Sequence, residues 1–255
     1  MVYELTDPSK AGKIFEGWDE TLIWSCLQGV MGNIYVTDRE HPVSAMAILG
    51  DFTFFAGEPD QELVSFKPKW CSQDFMIMVP QSKDWAHLIQ RQYGEKAKAV
   101  VRYAIKKEPG IFDRGKLKQM VAALPPHYEL RMIDNRLYEK CLAESWSRDL
   151  VSQFCDYEKY RELGLGAVIL QEGKIVAGAS SYSRYREGIE IEIDTKEEYR
   201  RQGLATVCGA QLILECLERG LYPSWDAQIK WSVALAEKLG YHFSHEYRAY
   251  EIWGY

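Results

Sequence analysis

The residues best suited to chemistry in this 255-residue chain lie in the run Arg200-Arg201-Gln202-Gly203-Leu204-Ala205-Thr206. Gly203 lets a backbone or a ligand come close, and Ala205 keeps the turn small. Just upstream, Ile189, Ile191 and Ile193 alternate with Glu190, Glu192 and Asp194. That period of two predicts a strand with an apolar face and an acidic face. Just downstream, Val207, Ala210, Leu214 and Leu217 recur at helical spacing up to Arg219-Gly220, which reads as a helix end. The run is therefore a strand-to-helix turn. The first amides of a helix lack intrahelical acceptors and sit at the positive end of its dipole. Such a turn can hold a pyrophosphate on main-chain N–H groups, with Arg200 and Arg201 steering phosphates.

A second constellation follows in Trp225-Asp226-Ala227-Gln228-Ile229-Lys230-Trp231-Ser232 and the stretch ending Leu235-Ala236-Glu237-Lys238-Leu239-Gly240-Tyr241. Ser232, Leu235, Ala236 and Leu239 share one helical face, and Gly240 is placed for a left-handed C-cap. The order strand, Arg-x-x-Gly-x-Ala, helix resembles the acyl-CoA-binding signature of the GNAT superfamily of N-acyltransferases. The second stretch is similar to that family's last strand and the helix after it. Two motifs in family order cover about the last half of the chain.

The resemblance implies an α/β (α+β) GNAT fold, in which a mixed, mostly antiparallel sheet is flanked by helices. It implies acetyl-CoA as co-substrate and no metal. Ile193, Asp194, Arg200, Arg201, Gln202, Gly203, Leu204, Ala205 and Thr206 would bind the cofactor, with Gln228 and Ser232 near the pantetheine arm. Gln228 stands where the family often has an asparagine. GNAT enzymes often carry a glutamate on the signature strand as general base, which makes Glu190 and Glu192 the catalytic candidates. Their competing reading is the solvated face of a half-exposed strand, or an acidic mouth that attracts a cationic amine. The tyrosine that the family often uses to protonate the departing thiolate is replaced by Ala236.

The expected activity is acetyl transfer to a small amine-bearing acceptor by direct attack on the thioester. The chain resembles two-part bacterial GNAT proteins, including ones similar to zwittermicin-resistance acetyltransferases. A non-catalytic acyl-CoA sensor and a protein N-acetyltransferase remain alternatives, and a homodimer is left open.

Further upstream, strands are expected at Asn33–Thr37, Ser44–Leu49, Phe52–Ala56, Phe75–Val79 and Lys98–Lys106, and helices at Trp85–Tyr93 and Arg114–Ala123. Ile14, Phe15, Trp18, Leu22, Ile23, Cys26 and Leu27 also have helical spacing. Pro125-Pro126 reads as a domain boundary, giving an N-terminal domain 1–125 and a transferase domain 126–255. Trp85 and Gly94 are spaced as Trp231 and Gly240 are, and three strands precede each stretch. The N-terminal half is therefore read as a degenerate copy of the same module. Its counterpart of the phosphate turn, Gly57-Glu58-Pro59-Asp60-Gln61-Glu62, is acidic and would repel CoA.

Composition supports a globular protein. Apolar and aromatic residues make up 47% and charged residues 27%. A net charge of −6 argues against a nucleic-acid partner. The first residues lack the apolar core of a signal peptide, and no apolar run suits a membrane span. Six cysteines without a Cys-x-x-Cys pair read as free buried thiols in a reducing cytoplasm. Of the tryptophans, Trp18, Trp24, Trp225 and Trp231 are expected in packed surroundings. The His242-x-x-His245 pair, on a predicted strand, points to opposite faces and does not suit zinc.

Overall fold

The computed structural model describes residues 1–255. In chain order the elements are β1 (Tyr3–Glu4), α1 (Thr21–Leu27), β2 (Asn33–Val36), β3 (Ser44–Leu49), β4 (Phe52–Gly57), α2 (Gln61–Ser65), β5 (Phe75–Pro80), α3 (Lys83–Tyr93), β6 (Ala97–Ile105), α4 (Arg114–Ala122) and β7 (Glu129–Met132). There follow α5 (Asn135–Ala143), α6 (Tyr157–Leu163), β8 (Gly166–Gln171), β9 (Lys174–Tyr185), β10 (Gly188–Thr195), α7 (Leu204–Glu218), β11 (Tyr222–Ser224), β12 (Asp226–Ala227), α8 (Lys230–Leu239) and β13 (Phe243–Trp253). No helix is long and apolar enough to cross a membrane.

The chain forms two compact units, Met1–Arg102 with Glu246–Tyr255, and Tyr103–His245. The division differs from the break expected at Pro125-Pro126. Those prolines lie in the turn between α4 and β7, inside the second unit. Strand pairing decides the matter: Tyr103 and Ala104 at the end of β6 pair with Ala227 and Asp226 of β12. Local punctuation marks a turn there without separating cores.

In the first unit β2, β3 and β4 form an antiparallel meander, and β5 runs parallel to β4. Tyr250–Trp253 of β13 then pair antiparallel with β5. Every residue of β3 is buried, so both faces of the meander are covered. Trp85 of α3 is fully buried, stacks on Phe55 and donates its indole N–H to Gly57 O at 2.9 Å. The helix expected from Ile14 to Leu27 is confined to α1. Pro8 and its neighbours form a 3-10 turn, and Gly17 at φ 77° breaks the path before α1 begins.

The second unit holds a five-stranded sheet in the order β11-β10-β9-β8-β7. All neighbours are antiparallel except β10 and β11, which are parallel. The central helix α7 is apolar nearly all round and packs into the core with Ile189, Ile191 and Ile193 of β10 and Ala236 and Leu239 of α8. Such burial is what makes an uncapped helix start affordable in stability terms, since packing rather than capping holds the helix. Gly209 lets the helix come close to its neighbours: a Cβ there would lie 2.8 Å from Leu239 Cδ1 and 3.2 Å from Ile193 Cδ1. Gly240 ends α8 at φ 111°, with the Tyr241 N–H donating to Ala236 O, as a left-handed cap requires.

Each unit thus contains three antiparallel strands, a helix, a strand parallel to the third, and a second helix. In the first unit these are β2, β3, β4, α2, β5 and α3; in the second they are β8, β9, β10, α7, β11 and α8. The echo does not extend to the two tryptophans. Trp85 is fully buried, whereas Trp231 is 80% exposed, against the expectation that it packs. The buried indole near α8 belongs to Trp225.

Candidate functional site

The alternating isoleucines make β10 a strand because one face can bury against α7 while the other carries the carboxylates. On the β11 side, pairing covers Gly188, Ile189 and Glu190 only, with Tyr222, Pro223 and Ser224. On the β9 side the register shifts between Glu190 and Ile191, so Tyr182 is the extra residue of a bulge. A bulge bends and twists its strand. It falls beside the residue where pairing to β11 stops. From Ile191 onward β10 has β9 on one side and no strand on the other.

The strand leads into a 3-10 turn, Glu197–Tyr199, and then into the arginine-glycine run. Arg201 has φ 62° and Gly203 φ 82°, so two left-handed residues flank Gln202. For a non-glycine residue this conformation costs about 1–2 kcal/mol. Gln202 is held from β7's leading edge: the Tyr128 hydroxyl donates to Gln202 Oε1 at 2.8 Å. Gly203 is the N-cap of α7 and no side chain caps the helix. The N–H groups of Thr206 and Val207 donate back to Gly203 O, at 3.0 and 3.3 Å. The amides of Leu204 and Ala205 stand at the positive end of a buried fifteen-residue helix. No atom lies within 4 Å of where a Gly203 Cβ would be, so the space above this turn is open. A left-handed turn with helix-start amides and open space has the features from which anion-binding concavities are made.

The predicted site residues are distributed around this turn unevenly. Arg200 folds back to the strand end, with its Nε donating to Thr195 O at 3.2 Å and its guanidinium 4.0 Å from Asp194. Asp194 accepts the Thr195 N–H at 2.6 Å. Burial pushes its carboxyl above the ordinary carboxylate range, opposed by that N–H and by Arg200 and reinforced by Asp149. Arg201, Gln202 and Gly203 are exposed, and Leu204 and Thr206 are buried. Ser232 Oγ accepts the Trp225 indole N–H at 3.0 Å, which ties the start of α8 to the junction of β11 and β12. Gln228 is exposed in the loop between β12 and α8.

Along the acidic face of β10, burial deepens toward the bulge. Glu190 is 6% exposed, and Glu192 and Asp194 are half-buried. The reading of all three as a solvated face therefore does not describe Glu190. Its register partners are Ser183 on β9 and Ser224 on β11, and the Tyr185 and Ser224 hydroxyls lie 3.0 Å apart. Burial pushes the phenols of Tyr185 and Tyr241 up, with the Glu190 charge among the smaller contributions in the same direction. Tyr241 is buried, with its hydroxyl donating to Pro223 O at 2.6 Å, so it is committed to structure. Ala236 is fully buried.

Two residues at this site carry no signal in the sequence pattern. Tyr128 precedes a short strand, and Lys238 sits in an ordinary Glu-Lys pair of α8. The Lys238 Nζ donates to Thr206 Oγ1 at 3.2 Å, on the first turn of α7. Elsewhere, Cys155 is exposed and the other five cysteines are buried, all of them free. Burial raises the thiols of Cys26, Cys141 and Cys216 to about 12. Such thiols stay protonated and are poor nucleophiles. His242 and His245 have separate partners, Glu108 at 2.8 Å and Ser244 at 3.0 Å.

The profile of the GNAT acetyltransferase family matches residues 12–250. The chain is 27% identical over 254 residues to the uncharacterized N-acetyltransferase YdfB of Bacillus subtilis (strain 168), covering 90% of this chain and 89% of that protein. It is 47% identical to a GCN5-related N-acetyltransferase-like protein from Streptococcus suis 89/1591, whose crystal structure matches with a TM-score of 0.89 over 97% of this chain and 98% of that one. A tandem GNAT protein from the clavulanic acid biosynthesis pathway is similar in fold, with a TM-score of 0.52 at 8% identity over 100% of this chain and 99% of that one. With the family profile spanning nearly its whole length, this chain belongs to the GNAT acetyltransferase family and is an acyltransferase of the GNAT fold.

Proposed function

We propose that the protein is an acetyl-CoA-dependent N-acetyltransferase acting on a small amine-bearing acceptor. The observation that carries this reading is the uncapped start of α7, with Gly203 at φ 82° beneath open space. The amides from Gly203 to Ala205 would hold the diphosphate, with Arg201 beside them. Ile193, Asp194, Gln228 and Ser232 would border the arm that carries the thioester. The cofactor supplies an activated acetyl group when bound; the rest is the work of the chain's own side chains.

The acidic face of β10 concentrates a cationic amine by field alone. Glu190 or Glu192 takes its proton, directly or through a water. The neutral amine then forms the N–C bond as the C–S bond breaks, and backbone N–H groups of β10 on its strandless side stabilise the carbonyl oxygen. With Ala236 buried and Tyr241 bonded to Pro223 O, no side chain is assigned to protonate the sulfur. A thiolate is a good leaving group, and the proton that the acylated nitrogen must shed passes through water to the sulfur.

We read the first unit as a degenerate copy of the module. It has the same strand and helix order, and its counterpart of the phosphate turn is already filled. The Asp60 carboxylate accepts the N–H groups of Glu62 and Leu63 at 2.7 and 3.2 Å, which leaves no welcome for a phosphate at α2. The missing acid at Ala236 also favours a second reading, a non-catalytic acyl-CoA sensor. A thiol-release assay with acetyl-CoA over panels of small amines, aminoglycosides and peptides separates the cases. Turnover with a small amine supports the proposal; turnover with peptides alone, or binding without any turnover, overturns it.

A further inference from the structure

Three serines of β9 are fully buried, and two of them have hydrogen-bond partners close at hand. Ser180 Oγ donates to Leu165 O at 3.2 Å and lies 2.9 Å from the Tyr160 hydroxyl. Ser181 Oγ accepts the Leu165 N–H at 2.9 Å. Ser183 differs, because its Oγ is buried and meets no hydrogen-bond partner in the protein. A buried hydroxyl without a partner costs free energy that an alanine would avoid, so a serine here calls for a group that meets it during the protein's work. The residue straight across the ladder is Glu190. The bulge puts it there: continued unbroken from Glu192 and Ser180, the ladder would set Tyr182 against Glu190. Directly opposed residues hold their Cβ atoms about 4.5–5.5 Å apart, close enough for a serine hydroxyl and a glutamate carboxylate to meet by side-chain rotation. On the other flank of Glu190, Ser224 is engaged already. Gly188 leaves room for Tyr185 to lie over β10, since a Cβ there would be 2.5 Å from the phenol oxygen, and that hydroxyl stands 3.0 Å from Ser224 Oγ.

We propose that Ser183 is a positioning residue for Glu190, whose hydroxyl donates to the carboxylate and holds it turned to take the proton of the acceptor amine. This rests on the reading of Glu190 as the base and extends it to a residue outside both motifs. Ser183 keeps its own proton throughout. Its oxygen donates to the carboxylate and, once the amine's proton has arrived, accepts from the neutral carboxyl. The competing account is that Ser183 is only a small residue that fits beside the bulge. An alanine would then serve equally well.

The test is a kinetic cycle on the full-length protein with Ser183→Ala, Glu190→Gln, Glu192→Gln and the two double variants that contain Ser183→Ala. Thiol release is followed at saturating acetyl-CoA, with the small amine of the panel that reacts fastest in the wild type as probe. Loss of one hydrogen bond to a charged group should lower kcat about tenfold in Ser183→Ala, while calorimetry finds acetyl-CoA affinity unchanged and the melting temperature does not fall. In the Glu190→Gln background the same change should have almost no effect, whereas in Glu192→Gln the tenfold loss should persist. Wild-type kcat in Ser183→Ala, with Glu190→Gln impaired, would overturn the proposal and leave the base in place. A tenfold loss that persists in the Glu190→Gln background would overturn it too, since Ser183 would then act elsewhere. Full activity of Glu190→Gln itself would remove the base reading and the proposal together.

Discussion

Replacing Gly203 with valine isolates the contribution of one backbone conformation. Gly203 has φ 82° and ψ 2°, and nothing lies within 4 Å of its absent Cβ. The folded protein meets no clash in the variant, so the stability loss is limited to left-handed strain, about 1–2 kcal/mol. Binding suffers twice. The valine methyls occupy the space over the turn, and any relaxation toward negative φ turns the amides of Leu204 and Ala205 aside. A hydrogen bond from an amide to a charged oxygen contributes about 1.5–3 kcal/mol, so losing one or two of them should weaken acetyl-CoA by about 100-fold. Calorimetry reads the affinity, and thermal melts with and without ligand separate it from stability. Gly203→Asn serves as the control, because asparagine tolerates the left-handed region and should melt closer to wild type while still binding poorly. A valine variant that binds acetyl-CoA as the wild type does would refute the reasoning, since the turn would then not touch the diphosphate.

Two further variants probe the neighbouring residues. Glu190→Gln and Glu192→Gln should keep cofactor affinity, and the one that removes the base should lower kcat by about 10²–10⁴. That deficit should shrink as pH rises and the amine loses its proton unaided; full activity in both variants would place the base elsewhere. Tyr128→Phe removes the hydroxyl that holds Gln202, a bond of about 1 kcal/mol, and should weaken acetyl-CoA about fivefold with little change in melting temperature. Unchanged affinity would show that Gln202 needs no such support.

What the sequence made legible was local. The alternation of Ile189, Ile191 and Ile193 predicts β10, and the Leu235–Gly240 stretch predicts both α8 and its left-handed cap; each signal is complete within a few residues. The reach of the first helix was not legible, because Gly17 adopts φ 77° and ends a pattern that spacing alone would continue. The unit boundary was not legible either. Pro125-Pro126 is strong local punctuation, but the pairing of Tyr103 with Ala227 joins residues far apart in sequence. The same physics hid Lys238 and Tyr128. Each acts through one long-range hydrogen bond, and a lysine in a helix or a tyrosine before a strand has no distinguishing period. Trp231 misled for the opposite reason, since its spacing matches Trp85 while its side chain remains in solvent.

The central claim is that one half of this chain binds acetyl-CoA and the other has lost the means. Calorimetric titration of the full-length wild type with acetyl-CoA tests it most directly. The account predicts one molecule bound per chain, with its affinity lowered about 100-fold by the Gly203→Val change alone. Two molecules per chain, or one whose affinity that change leaves intact, would contradict it.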